Sequence, residues 1–418
     1  MASIIDYERI TQEQWPKLIT AVNYAFEKSP FYRERLGQAG FQRGDLTSIE
    51  DLARLPFTTK EDLRAGYPLG LMAADEKDVV RIHSSSGTTG KPVIVPYTQK
   101  DVLDWAVMMA RALAMAGVTS LDRVQVTPGY GLWTAGTGFQ AGVEQLGAMA
   151  IPTGPGNTEK QLEMMTQLKT TVLIGTSSYG LLLAEEAAKR GLLDQLHLRL
   201  GIFGSERWGN KMRQHMEELL DIQTFDIYGL TEIYGPGIAI DCAYHQGLHY
   251  WHDFLYFEII DPVTGKVLPP GQEGELVITT LTKEGMPLIR FRTRDLTRLV
   301  QEACPCGSPY PMMKRLIGRS DDMFKIKGVN IFPGQIDQVL SQTKGALSEY
   351  QIILERREYK DHMCLKVEIE EGYSSDEVAA SCRSQIKSSI GILAEVTCLP
   401  QGSLPRSEKK TKRLFDYR

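Results

Sequence analysis

The run TTVLIGT (170–176), LLLAEEAAKRG (181–191), LRLGIFGS (198–205) and NKMRQHMEELL (210–220) decides the fold. Two short apolar runs end in small or hydroxyl residues, and each is followed by a longer stretch with apolar residues at helical spacing. The order strand, helix, strand, helix calls for parallel strands joined by crossover helices. Working outward, the same alternation starts earlier. DVLDWAVMMARALAMAG (101–117) reads as a helix, RVQVT (123–127) as a strand, a helix ends near Gly147, and AMAIPT (148–153) is the next strand.

Before this region, residues 1–60 read as helical, with Ile19, Val22 and Phe26 on one face, and VVRIH (79–83) and VIVPYT (93–98) read as strands around a Gly/Ser/Thr-rich loop. Beyond about residue 240 the period shortens. YFEIIDP (256–262) and GELVITTLTK (274–283) are strands joined by Pro/Gly turns, the pattern of an antiparallel subdomain. The last block, with CLKVEIE (364–370), the helix DEVAASCRSQIKSSIG (376–391) and EVTCLP (395–400), reads as a small α+β domain.

A chain of 418 residues is long enough for several domains, and its 42% hydrophobic and 24% charged residues are those of a globular protein. The formal charge of −5 excludes a broad basic footprint for nucleic acid. No run approaches the ~18 apolar residues of a membrane span, and MASIIDYERITQEQW is too polar for a secretory leader. A cytoplasmic enzyme is expected. Six cysteines are too few for a disulfide scaffold, so their spacing matters more than their number.

Several segments carry chemistry. In Ser84, Ser85, Ser86, Gly87, Thr88, Thr89, Gly90 and Lys91, backbone N–H groups and hydroxyls can surround phosphate oxygens, with Lys91 as a point charge. A plain turn is the alternative. Pro92 after the lysine breaks the Walker pattern and disfavours a P-loop NTPase. In Asp226-Ile227-Tyr228-Gly229-Leu230-Thr231-Glu232, a hydroxyl and a carboxylate at a strand end suit phosphate and Mg²⁺, though Thr-Glu can also start a capped helix. Asp295 among Arg290, Arg292 and Arg294 can hydrogen-bond a ribose or belong to a surface ion network. Cys242-x₆-His249 and Cys304-Pro305-Cys306 supply three thiolates and an imidazole, the set of a closed structural zinc site. His245 and His252 are alternative imidazoles, and Cys364, Cys382 and Cys398 read as buried apolar residues.

Taken in order, LPFTTKEDLR (55–64), RIHSSSGTTGKP (81–92), GYGLWTAG (129–136), GNTEKQ (156–161), FGSERW (203–208), DIYGLTE (226–232), IIDPVTG (259–265), RFRTRDLTR (290–298) and GRSDDMFKIKGVNIFPGQI (318–336) resemble the phenylacetate-CoA ligase family of the adenylate-forming superfamily. The resemblance runs from about Tyr32 to the C-terminus. It implies an α/β fold with layered sheets and helices in a large N-terminal domain, 1–318, which includes an antiparallel β subdomain at about 240–315. A small, mobile α+β lid, 319–418, follows a hinge near 320–322. It also implies an ATP- and Mg²⁺-dependent aryl-CoA ligase that forms an acyl-adenylate and then a CoA thioester, releasing AMP and pyrophosphate. Delivery to a carrier protein, or AMP transfer to another acceptor, is the second reading. A non-catalytic nucleotide-binding protein is the third.

By the same resemblance the 84–91 loop holds the triphosphate, and Ser205, Glu206 and Tyr228 border the adenine and carboxylate, beside Asp226 and Gly229. Thr231 contacts phosphate, Glu232 binds Mg²⁺, and Asp295 takes the ribose with Arg319 assisting. Asp321 is the hinge, and Lys325, Lys327 and Gly328 face the site when CoA reacts. Lys410 is the adenylation lysine, with Lys409 and Lys412 as rivals because SEKKTKR (407–413) lacks the glycine often found before that lysine. The acid pocket is expected at Tyr130, Gly131 and Trp133, with Tyr179, Ser205 and Ile233 opposite. Family members often carry Phe in place of Trp133 and His-Tyr in place of Gln140-Ala141. Some relatives carry a similar Cys/His set. The expected partners are a small aromatic acid, ATP and CoA, with neither nucleic acid nor membrane, and a homodimer is compatible with them.

Overall fold

The computed structural model describes residues 4–85, 91–206, 208–326, 329–357, 360–406 and 412–418. It is an α/β protein whose contacts divide it into two units, one of residues up to 155 with 225–315, the other of 156–224 with 316–418. Among the described residues, no helix is long and apolar enough to cross a membrane.

In the first unit, the helix Tyr7–Lys28 buries Ile10, Gln14, Leu18, Ala21, Val22 and Ala25, the one-sided spacing expected of an amphipathic helix. That face packs with Tyr32, Leu36, Leu52 and Ile289. Ser48 with Asp51 and Thr59 with Asp62 form capping boxes that start two short helices, Ile49–Arg54 and Lys60–Ala65. The second of these carries Lys60. The strands Arg123–Val126 and Met149–Ile151 pair in parallel, as the alternation requires. The strand Gln223–Leu230 instead pairs antiparallel with Gly235–Asp241, which continues antiparallel through Leu248–Tyr250 to Met312–Met313. The short-period region is an antiparallel sheet in which Leu255–Ile260 and Phe291–Thr297 flank Gly274–Thr280, with Val267–Leu268 outside Leu255–Ile260.

In the second unit, Val172–Thr176 and Leu200–Gly204 run parallel, with Val172 opposite Leu200. The helices Thr158–Gln167, Ser177–Lys189 and Asn210–Leu220 contribute Leu162, Leu183 and Met212 to one core with Leu173 and Phe203. Residues 346–416 form a four-stranded sheet ordered Glu395–Pro400, Lys360–Ile369, Ala346–Arg357, Leu414–Asp416. The helices Pro333–Gln342 and Ser375–Ile390 help bury Ile336, Val339, Cys382 and Ile386 with Ile352, Leu365 and Val367 of that sheet.

One buried carboxylate organises much of the first unit. Asp101 lies in the first turn of the helix Gln99–Met115 and is fully buried. Its Oδ2 accepts from the N–H groups of Thr98 at 3.0 Å and Gly285 at 2.8 Å, and its Oδ1 accepts from Glu284 N–H at 2.8 Å. Thr98 completes the capping box and donates its hydroxyl to Glu284 at 2.9 Å. A Cβ on Gly285 would stand 2.5 Å from the Pro96 carbonyl and 2.9 Å from Asp101 Oδ2, so the loop approaches this closely because the residue is glycine. Asp101→Asn would turn an NH₂ donor toward at least one of these N–H groups whichever way the amide is rotated. Urea unfolding of the variant is expected to show a loss of about 2–4 kcal/mol, and an unchanged midpoint would contradict the account.

Candidate active site

The loop expected to hold phosphate, 84–91, lies between the strands of a hairpin, Val79–Ser84 paired antiparallel with Ile94–Thr98. Ser84 N–H donates to Leu132 O at 2.7 Å and Ser85 N–H to Val93 O at 3.0 Å, while Ser85 Oγ accepts from Val93 N–H at 2.9 Å. The two ends of the loop are thereby fixed. Ser86, Gly87, Thr88, Thr89 and Gly90 lie outside the described residues. Lys91 Nζ sits 5.6 Å from the centre of the Tyr67 ring, a cation–π distance. Within the hairpin, His83 is wedged edge-on against Tyr97 of the facing strand and against Trp105, and burial pulls its pKa down to about 4.

The strand Gln223–Leu230 delivers the next set. Tyr228 donates its hydroxyl to Asp295 Oδ2 at 2.7 Å, with both residues buried, so the two positions singled out for nucleotide recognition meet. Asp226 lies 3.8 Å from Arg315, which reaches Asp241 at 2.8 Å. Gly229 sits where a Cβ would be 2.0 Å from Gly235 O, which makes it a requirement of the hairpin. Thr231 Oγ1 is 3.4 Å from Thr134 Oγ1. Glu232 is buried, and Lys60 Nζ lies 2.8 Å from its Oε1.

Sequence reasoning missed two lysines at this loop. One is Lys60. The other is Lys283, buried between the Tyr97 and Tyr234 rings at 4.6 and 4.7 Å, which donates to the Ile233 carbonyl and, at 3.5 Å, to Glu232 O. Burial lowers its pKa to about 7, opposed by Asp101 and Glu232. The two carbonyls and the two ring faces also favour the ammonium. Nothing in the sequence marks Lys283, which stands beside Glu284 in the mixed run ITTLTKEGMPLI (278–289).

The expected acid-pocket residues of this unit are dissimilar. Tyr130 is half-buried with its hydroxyl lacking a hydrogen-bond partner among the described residues, and burial raises its pKa to about 12. Gly131 has φ +81°. Trp133 is 56% exposed, whereas Ile233 is fully buried. In the other unit, Tyr179 lies in the core with Leu162, Phe203 and Trp208 and donates its hydroxyl to Gly156 O at 3.1 Å. Glu206 Oε1 accepts from Ser177 Oγ at 3.1 Å and Ser178 N–H at 2.7 Å, a carboxylate at the start of the helix Ser177–Lys189, where the helix dipole favours it. Ser205, next to it, takes φ +70°. Arg319 grips Asp321 through two bonds of 2.9 Å. Lys325 is exposed, and its carbonyl accepts from Arg418 at 2.7 Å. Lys327, Gly328, Lys409 and Lys410 lie outside the described residues, and Lys412 Nζ stands 5.1 Å from the Phe415 ring.

The four sequence-selected metal ligands converge. Cys242 Sγ, His249 Nε2, Cys304 Sγ and Cys306 Sγ offer ligand atoms all within 4.8 Å of one another. Cys242 and Cys304 sulfurs are 3.5 Å apart, and Cys306 Sγ is 3.4 Å from His249 Nε2. These separations are close to the edges of about 3.6–3.8 Å that Zn–S and Zn–N bonds give a tetrahedron. His249 Nδ1 contacts Tyr310 O at 2.7 Å, which turns Nε2 toward the sulfurs. Without a metal, burial pushes the Cys242 thiol up to about 12, raises Cys304 and lowers His249. His245 bonds Asp241 at 2.7 Å instead, and His252 lies 3.9 Å from Glu13, so neither alternative imidazole joins the set.

Known proteins place this arrangement. The family model for AMP-binding enzymes matches residues 35–282, and that for the AMP-binding enzyme C-terminal domain matches 328–418. A phenylacetate-coenzyme A ligase of Pseudomonas putida is 44% identical over 98% of this chain and 95% of its own length. Among solved structures, 2-hydroxyisobutyryl-CoA ligase in its postadenylation state, bound to 2-HIB-AMP, superposes with a TM-score of 0.89 at 28% identity, covering 100% of this chain and 91% of that one. The same ligase in its thioesterification state, with CoA, gives 0.71 at 30% identity over 98% and 90% of the two chains. The chain belongs to the phenylacetate-coenzyme A ligase family of AMP-binding enzymes.

Replacing Lys283 with Met keeps the length of the side chain and leaves two buried carbonyls without their donor. The variant is expected to lose about 1–3 kcal/mol in urea unfolding, and wild-type stability would show that the ammonium does not hold the loop.

Proposed function

We propose that this chain is an AMP-forming aryl-CoA ligase that takes phenylacetate or a closely similar aromatic acid. The carboxylate oxygen attacks the α-phosphorus of ATP and expels pyrophosphate. The CoA sulfur then attacks the acyl carbon, AMP leaves, and the thiol proton passes to solvent. The observation that carries the reading is the buried Tyr228–Asp295 pair, whose Tyr228 lies on the same chain segment as buried Glu232, in a chain 44% identical over nearly its full length to a phenylacetate-coenzyme A ligase.

Asp295, oriented by the Tyr228 hydroxyl, takes the ribose hydroxyls, with Arg319 assisting. The hairpin holds the 84–91 loop as a phosphate cradle, and Ser205 and Glu206 border adenine and the acid. Tyr130, whose hydroxyl has no hydrogen-bond partner among the described residues, and Trp133 supply aromatic walls of the acid pocket, with Gly131, Tyr179 and Ile233 as the remaining lining. Attack of an anion on a triphosphate needs positive charge at the reacting atoms. Glu232 suits a Mg²⁺ site, because it is a buried carboxylate already accompanied by the Lys60 ammonium. When bound, Mg²⁺ neutralises phosphate charge. Thr231 contacts the phosphates and Lys410 meets the carboxylate and α-phosphate.

Thioester formation needs a different group at the same acyl carbon. Accordingly, residues 319–418 act as a lid on the 1–318 domain and turn about 320–322, withdrawing Lys410 and bringing Lys325, Lys327 and Gly328 to the site. Support comes from 2-hydroxyisobutyryl-CoA ligase, which has been solved in both postadenylation and thioesterification states. Cys242, His249, Cys304 and Cys306 hold a structural zinc, and the cytoplasm, where thiols stay reduced, is the proposed location.

ATP–pyrophosphate exchange across a panel of aryl acids tests the reading. Phenylacetate-dependent exchange and CoA-dependent AMP release are expected, and absence of exchange with every acid would sink it. Lys410→Ala should lower exchange by about 100-fold or more while sparing thioester formation from supplied acyl-adenylate. An equal loss in Lys412→Ala would move the role to that residue. Metal analysis should find about one zinc per chain, lost in Cys304→Ser and in His249→Ala together with a lower melting temperature. A metal-free wild-type protein of full stability would remove zinc from the reading.

A further inference from the structure

The second unit contains a charged junction that none of the steps above uses. Arg406 lies four residues before Lys410. Its guanidinium makes two bonds to Glu368, at 2.9 and 3.0 Å, and two to Glu185, both at 3.2 Å. The two carboxylates differ in kind. Glu368, on the strand Lys360–Ile369, is fully buried and is itself fixed by Gly402 N–H at 3.0 Å and Leu404 N–H at 2.7 Å. Glu368 and Arg406 therefore form a unit within the C-terminal block. Glu185 projects from the helix Ser177–Lys189, in the part of the chain matched by the AMP-binding model, and its side chain is 26% exposed.

A second cation makes a parallel contact. Lys211, on the helix Asn210–Leu220, donates to Thr343 O at 2.7 Å and to Ala346 O, carbonyls just beyond the C-terminal end of the helix Pro333–Gln342, where a positive charge is favoured. Burial lowers the pKa of this lysine, so it is held there against a desolvation cost.

The balance of charge makes the Glu185 contact separable. Arg406 carries one positive charge against the carboxylates of Glu368 and Glu185, and the third carboxylate nearby, Glu349 at 4.0 Å, is paired by Arg413 at 3.1 Å. If Glu185 withdraws into water, the buried Arg406–Glu368 pair remains neutral and hydrogen-bonded. No charge is left buried without a partner, which is the outcome that makes breaking an ion pair expensive. A bidentate guanidinium also fixes direction as well as distance, which a lysine would not.

We propose that Arg406 is a positioning residue for adenylation. It docks on Glu185 to set the register of the segment that leads into Lys410, and releases Glu185 while keeping Glu368 when the lid turns for thioester formation. Lys211 acts as a second releasable contact in the same state. The inference rests on the lid alternation and the Lys410 role proposed above.

The test uses the full chain and measures both half-reactions in each preparation. These are ATP–pyrophosphate exchange with phenylacetate and thioester formation from supplied phenylacetyl-adenylate and CoA. Glu185→Ala is expected to lower the exchange kcat by about tenfold with the KM for acid little changed, and to leave thioester formation equal or faster. Glu185→Asp should restore part of the exchange rate, and Lys211→Met should shift the two halves in the same sense. Equal loss in both halves, or unchanged exchange, overturns the proposal. Lys410→Ala run alongside separates the causes. If it divides the half-reactions and Glu185→Ala does not, the Arg406 inference alone falls. If Lys410→Ala fails to divide them, the alternation reading falls and takes this inference with it.

Discussion

The first unit depends on a carboxylate that never approaches a ligand in the proposed chemistry. Asp101 is fully buried, and it accepts backbone N–H groups from its own helix start and from the distant loop at Glu284 and Gly285. An anion taken out of water must be surrounded by donors, and here the donors belong to two elements about 180 residues apart in sequence. Satisfying the charge therefore fixes the loop. With the loop comes Lys283, and with Lys283 come the carbonyls of Glu232 and Ile233. A helix cap is in this way connected to the carboxylate proposed to bind Mg²⁺ through hydrogen bonds and one short stretch of chain.

Positive charge around Glu232 is divided between two lysines with different duties. Lys283 is enclosed by tyrosine rings and directed at backbone oxygens, so it shapes the loop. Lys60 is partly exposed and directed at the carboxylate itself, so it can move when another cation arrives. The distinction follows from surroundings, since the two side chains are identical. A buried ammonium with its donors satisfied has no low-energy alternative, whereas one at the surface can exchange its partner for water.

Much of the fold was legible because its signals are local. Strand and helix periods predicted the parallel pairs and an antiparallel region, although antiparallel pairing already begins between Gln223–Leu230 and Gly235–Asp241, and the Cys242, His249, Cys304 and Cys306 set was read from ligand chemistry and turn residues. The Tyr228–Asp295 contact was implied only as shared nucleotide recognition. Lys60, Lys283 and Arg406 were not legible as partners of Glu232, Ile233 and Glu185. Each is a charged residue whose meaning comes from a carboxylate or carbonyl far away in sequence, and nothing in its neighbours marks it. Tyr179 was assigned to the acid pocket by resemblance, and nothing near it in sequence showed the core contacts and the bond to Gly156 that hold its ring.

The Cys/His cluster has a consequence for the unfolded chain. Cys242 and Cys304 are 62 residues apart, and between them lie the antiparallel strands, Lys283 and Asp295. A metal ion that kept joining them as the chain unfolds would close that whole segment into a ring. By the chain-entropy estimate for a covalent cross-link of this span, such closure removes about 4 kcal/mol worth of disorder from the unfolded state. Asp295, proposed to take the ribose, would then owe part of its order to topology, imposed from a cluster that the proposed chemistry does not use.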